Sequence, residues 1–161
     1  MIVLEDRILQ IDDLLDRMAE ELQLDDTRYD RMKSSYESVK EWIENDEVFF
    51  KPYKYDLYPH GSVRILTTVK PLEKDEFDLD IALHILNTAA HTPQRIYNEL
   101  KRVVEKYASK HSLNFEAKNR CVRLNYAGDY HMDILPGVQE SKEDPDKIKI
   151  PDRSLGYWVS S

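Results

Sequence analysis

The sequence predicts an α+β domain, a mixed β-sheet flanked by helices with two long helices at its N-terminus. Three observations lead there. Residues 1–47 carry two apolar stripes at helical spacing, residues 77–85 alternate strictly between apolar and other side chains, and a third helical stripe precedes a run of short strands. With 161 residues, one domain with a substantial core is expected. Apolar residues at 41%, charged residues at 34% and only 4 Gly and 7 Pro fit a globular chain rather than a disordered or fibrous one.

The elements follow in order. Leu4, Ile8, Ile11, Leu15, Met18 and Leu22 recur at intervals of four and three, one face of a first helix. Asp25 or Asp26 can cap a second, in which Tyr29, Met32, Tyr36, Val39 and Ile43 repeat the spacing up to the acidic segment 44–47. At about three heptads each, these stripes fit packing onto their own domain better than a coiled coil. From Phe49 the period changes, and Tyr53, Tyr55 and Leu57 with the prolines at 52 and 59 suggest an extended stretch running into Gly61-Ser62. Phe77, Leu79, Ile81, Leu83 and Ile85 then alternate with Asp78, Asp80, Ala82 and His84, a strand with two distinct faces.

Thr92-Pro93 is a helix start, a cap followed by a first-turn proline, and Ile96, Leu100, Val103 and Tyr107 carry the helix to about residue 109. Strands are expected at 113–117 and 120–126, with a turn over 125–129 into a last strand at 130–135. Pro136-Gly137 should end that strand, before a polar loop and a short segment at 148–150. There is no internal repeat. The expected divisions are N-terminal helices over 1–47, a catalytic core over 53–137, and a loop with the start of a crossing over 138–161.

Charge and cysteine usage exclude several classes. The single Cys121 rules out an internal disulfide framework and fits a reducing cytoplasm, the expected location. Acids from residue 5 onward fit neither a signal peptide nor a membrane span. With 23 basic against 31 acidic residues, a formal charge of −8 and no basic block, the chain is ill suited to a long nucleic acid, whose binding rests on neutralising phosphates. A small triphosphate held through metal ions remains compatible.

Asp78 and Asp80 share a strand face, about 6.6 Å apart at the backbone. Two acids beside Phe77, Leu79 and Ile81 repel each other unless a cation lies between them, and a hard divalent ion such as Mg²⁺ suits carboxylate oxygens. Asp133, within HMDIL, is a natural third acid, and three carboxylates on two strands could hold two ions roughly 3.5 to 4 Å apart. Bland alternatives stand beside this. Asp-x-Asp alone is common on solvated strand faces, and Asp133 alone could be a surface residue or the charge partner of Arg123. His84 and His131 have neither zinc-pair nor Ser-His-Asp spacing and read as half-buried histidines, while Cys121 reads as core. Gly61-Ser62, ahead of the Asp-x-Asp strand, could present backbone N–H groups and a hydroxyl to a phosphate.

Gly61-Ser62, then Asp78 and Asp80 within EFDLDI, then Asp133 within YHMDILPG, resemble the DNA polymerase β-type nucleotidyltransferase superfamily. The stretch GSVRILTTVKPLEKDEFDLDIALHI, with Thr67 and Pro71, together with HMDILPG, resembles more narrowly the bacterial oligonucleotide cyclases called CD-NTases, relatives of cyclic GMP-AMP synthase and oligoadenylate synthetase. Leu66 stands where a small glycine is expected. The resemblance implies a polymerase β-type core with its C-terminal helical lobe missing, the region of Trp158 being the crossing towards that lobe. It further implies Asp78, Asp80 and Asp133 as catalytic metal ligands for two Mg²⁺ ions, Mn²⁺ being the alternative, and Gly61 and Ser62 as nucleotide-binding residues. The implied substrates are nucleoside triphosphates, ATP, GTP or the pyrimidine nucleotides. The implied reaction joins them into a cyclic di- or trinucleotide messenger with release of pyrophosphate, in bacterial anti-phage signalling. A nucleotidyltransferase with a protein, RNA 3′-end or small-molecule acceptor, and an inactive nucleotide-binding domain, are the competing readings.

Overall fold

A computed structural model describes residues 12–13, 15–17, 20, 26–59, 77–86, 91–127, 130–139, 143 and 148–160. Residues 12–13, 15–17 and 20 are helical, and Leu15 is buried in the core as its stripe requires; the other stripe residues of that first helix lie outside the described residues. Helix α1 spans Asp26–Glu44 and buries Met32, Tyr36, Val39 and Ile43, the stripe read from the sequence. Strands β1 (Lys54–Pro59) and β2 (Phe77–Leu86) precede helix α2 (Pro93–Lys110). Then come β3 (Asn114–Ala117), β4 (Val122–Tyr126), β5 (Tyr130–Gln139), β6 (Ile148–Asp152) and β7 (Tyr157–Ser160). No helix among the described residues is long and apolar enough to cross a membrane.

Thr92 starts α2 as its sequence predicts: its extended backbone and its Oγ1, which accepts from the N–H of Arg95 at 3.2 Å, satisfy one of the donors a helix start leaves open. Seven residues from Ile96 to Ala108 face inward from this helix. Trp42 of α1 donates to the carbonyl of Val103 at 3.0 Å, and Tyr107 donates to Ser38 Oγ at 3.0 Å, which locks the two helices side by side. Tyr36 donates to the carbonyl of Leu57 and ties α1 to β1.

The strands run β1-β2-β5-β4-β3 across one sheet, with β6 joined to β5 and β7 to β6. Among the described strands only β2 and β5 pair in parallel; the other pairs are antiparallel, so the sheet is mixed as expected. Alternation gives the sheet two unlike faces. Leu79, Ile81, Leu83 and Ile85 of β2 stand opposite Met132, Ile134, Pro136 and Val138 of β5, and all but Pro136 belong to the main core under the helices. Fully burying each such Leu or Ile contributes roughly 1.5–3 kcal/mol. The other face carries Asp80, His84, Asp133 and Arg123, with a small apolar cluster of Ala82, Ile148 and Ile150 at one end.

Two expectations change. Strand β5 does not stop at Leu135 but continues through Pro136 and Gly137 to Gln139. Strand β4 ends opposite Ile134 and β6 joins only at Val138, so Pro136 occupies a stretch with a ladder on one side alone, where a residue without an N–H can enter a strand. Gly137 allows close approach: a Cβ there would stand 3.0 Å from Ile148 Cδ1. Second, the stretch expected to be loop and crossing holds the β6–β7 hairpin. Asp152 closes its turn, accepting from Ser154 Oγ at 2.6 Å and from the Ser154 and Leu155 N–H groups. Its carboxylate, held well below the usual range by Ser154 first and then Asn119, also binds Arg120 at 2.9 Å and so anchors the hairpin to the turn ahead of β4.

Candidate active site

The polar face of the sheet is where the sequence places its carboxylates. In the parallel β2–β5 pair Asp80 is the register partner of Asp133 and position 78 that of His131. Neighbouring strands lie about 4.8 Å apart, so two acids distant in sequence become adjacent. Asp133 is 8% exposed and Asp80 half-buried, each within a strand whose other face is apolar. Each acid is fixed by the residues on either side of it: Leu79 and Ile81, like Met132 and Ile134, are fully buried in the core and force the intervening aspartate to the opposite face.

Arg123 completes the row. It is the register partner of Asp133 on the antiparallel β4, where Val122 and Leu124 are in the core and turn it outward. Its Nε donates to Asp133 Oδ1 at 2.6 Å and its Nη2 to Oδ2 at 2.8 Å, a two-bond fork between side chains 17% and 11% exposed. The charge-partner alternative for Asp133 is thus realised. The turn before β4 is held by Tyr97 of α2, whose hydroxyl donates to the carbonyls of Lys118 at 2.6 Å and Cys121 at 3.1 Å, with Arg153 stacked 4.9 Å over its ring.

Cys121 is half-buried rather than a core residue, because it precedes β4 on the polar side of the sheet. Burial above all, then the negative charge of Asp133 with a further contribution from Asp80, pushes its thiol up to about 12 against the opposing Lys118 and Arg123. Nothing in these surroundings lowers the thiol in the way an activated cysteine requires. His84 is buried at the edge of the small cluster, its ring 6.3 Å from that of Tyr58, and His131 is half-buried.

Of the residues expected in the site, Asp80 and Asp133 are brought together. Asp78 is described by its backbone alone, two positions before Asp80 and hence on the same strand face. Gly61 and Ser62 lie outside the described residues, as do Leu66, Thr67 and Pro71. Among the described residues no third acid, histidine or cysteine joins Asp80 and Asp133 in a metal-sized cluster. Arg123 was visible in the sequence as a possible partner, and the alternation of VRLNY was the signal that it faces the acids.

A model of the Second Messenger Oligonucleotide or Dinucleotide Synthetase domain matches residues 9–161. The chain is 38% identical over 162 residues to a c-di-GMP synthase of Roseivirga ehrenbergii, covering 100% of this chain and 43% of that protein. It is 27% identical over 147 residues to the cyclic dinucleotide synthase CdnG of Bradyrhizobium diazoefficiens, covering 91% of this chain and 34% of that one. Among solved structures, the CD-NTase CdnG of Bradyrhizobium diazoefficiens in complex with GTP superposes with a TM-score of 0.70 at 25% identity, over 94% of this chain and 44% of that chain. The cyclic AMP-GMP synthase DncV of Vibrio cholerae, at a TM-score of 0.53 and 14% identity over 94% of this chain and 42% of that one, shares the fold. The chain spans less than half the length of these relatives. The resemblance seen in the sequence is therefore one of kinship, and the chain belongs to the Second Messenger Oligonucleotide or Dinucleotide Synthetase family.

Proposed function

We propose that this chain is the metal-holding lobe of a nucleotidyltransferase that joins nucleoside triphosphates, GTP among them, into a cyclic dinucleotide with release of pyrophosphate. The observation that carries the reading is the register of Asp80 against Asp133 on the parallel pair β2–β5. The kinship with a c-di-GMP synthase over the whole of this chain supports the product class.

The donor set fits a hard divalent cation, Mg²⁺ or Mn²⁺: both described acids offer only oxygen, and Asp133 already holds a cationic partner, the guanidinium of Arg123. Asp80 and Asp133, with Asp78, would hold the metal. When bound, it supplies positive charge that lowers the pKa of an acceptor hydroxyl and offsets the charge developing on the leaving pyrophosphate. The protein's share is placement. The rigid strands fix the carboxylates, and the Gly61-Ser62 segment grips the terminal phosphates. The acceptor hydroxyl oxygen bonds to the α-phosphorus, the bond from that phosphorus to pyrophosphate breaks, and the hydroxyl proton leaves to solvent. A second round within the linear dinucleotide closes the ring. We place this activity in the cytoplasm, in bacterial anti-phage signalling.

The test is chromatography of products formed from labelled GTP and ATP by the full-length protein carrying this segment. Cyclic dinucleotides are expected from the native protein and none from Asp80→Asn. Undiminished synthesis by Asp80→Asn would overturn the site, and products on an added acceptor alone would favour a different transferase.

A further inference from the structure

Asp80, Asp133 and Arg123 occupy one row across three adjacent strands, β2, β5 and β4. Two carboxylates on neighbouring strands, one of them 8% exposed, repel in a medium that screens poorly, so the folded chain needs positive charge there before any metal arrives. Arg123 provides it. Its fork engages both oxygens of Asp133, at 2.6 and 2.8 Å, from the strand flank opposite Asp80. A guanidinium keeps its charge at every physiological pH, and its planar fork matches a carboxylate edge. A divalent ion shared by Asp80 and Asp133 needs at least one of the oxygens the fork engages, and two cations at one carboxylate repel.

We propose that Arg123 is the built-in counter-cation of this carboxylate site: it holds Asp133 in the metal-free protein and must yield the carboxylate when a divalent ion binds. Arg123 is thereby a positioning residue that acts through Asp133. The proposal rests on the reading of Asp80 and Asp133 as metal ligands. Its consequence is quantitative. Only the fraction of molecules in which Asp133 is released by Arg123 is competent for the metal, so the pair raises the apparent Kd by the inverse of that fraction. The same pair keeps the metal-free fold from facing two uncompensated acids.

The experiment measures Mn²⁺ binding to the full-length protein by electron paramagnetic resonance for the native chain, Arg123→Gln, Arg123→Lys and Asp80→Asn. Arg123→Gln is expected to bind Mn²⁺ more tightly, on the order of fivefold or more, with a lower metal-free melting temperature. Arg123→Lys, which keeps the charge without the fork, should fall between. In the native protein the Arg123 Nε–H resonance should shift on saturation with Mg²⁺, a readout that needs no variant to fold. Unchanged or weaker Mn²⁺ binding in Arg123→Gln, together with an unmoved Nε–H resonance, would overturn the proposal. If Asp80→Asn loses Mn²⁺ while Arg123→Gln binds like the native chain and the Nε–H resonance stays unmoved, the counter-cation role fails and the metal site stands. If Asp80→Asn binds like the native chain, the metal site fails first.

Discussion

Arg123 grips Asp133 edge-on from the neighbouring strand, two hydrogen bonds of 2.6 and 2.8 Å joining side chains that are mostly shielded from water. Breaking such a pair from one side leaves the other charge without a partner, which costs more than the pair contributes. Asp133→Asn is therefore expected to lower the stability of the metal-free protein by about 2–3 kcal/mol. Adding Arg123→Gln should recover part of that loss, because the stranded charge is gone. Urea unfolding of the single and double variants at neutral pH measures both; strictly additive losses would mean that the two side chains do not act as a unit.

A second carboxylate ties α1 to α2. Asp46 Oδ2 accepts from the N–H groups of Phe49 and Phe50 at 3.0 and 3.1 Å and from Arg102 Nη2 at 2.8 Å. Burial raises its pKa, but the Arg102 bond and the Phe50 and Phe49 N–H groups together outweigh burial and hold the carboxyl below its ordinary value. A depressed folded pKa means stability that is fully present above the unfolded value, near 3.9, and lost as pH falls through the folded one. Asp46→Ala is expected to cost about 2 kcal/mol at pH 7, and the gap to the native protein should narrow as the pH is lowered below about 4. Denaturation midpoints at pH 7, 4 and 3 decide it.

Gly137 is the point where β5 admits β6. A Cβ there would stand 3.0 Å from Ile148 Cδ1 and 3.4 Å from its Cβ, so a branched side chain fits only if Ile148 gives way. Gly137→Val is expected to destabilise by about 2 kcal/mol, and Ile148→Ala in the same chain should be less harmful than in the native background because it makes room. Thermal unfolding of the three variants reads the sign of that coupling.

Much of the secondary structure was legible because it is written in local spacing. The stripe Met32, Tyr36, Val39, Ile43 lies buried along α1, Thr92-Pro93 opens α2, and the alternation of residues 77–85 is β2. The end of β5 and the pairing of the 148–150 segment with β7 were not legible. Pro136-Gly137 carries the local signature of a turn, and only the absence of β4 beyond Ile134 and the approach of Ile148 turn it into strand. Cys121 was misjudged because composition says that cysteine prefers the core, whereas this one stands just ahead of β4 beside the buried Val122 and is only half-buried.

The sequence by itself determined that Asp78 and Asp80 share one face of a strand and that Asp133 interrupts an apolar stretch, since side-chain alternation is a property of a single strand. It left open which residue stands beside which. That was decided by the parallel register of β2 on β5 and the antiparallel register of β4 on β5, which set Asp80 next to Asp133 and Arg123 on its other side. Register is chosen by how whole apolar faces fit under the helices, a cooperative outcome of the packed core that no short stretch of chain contains.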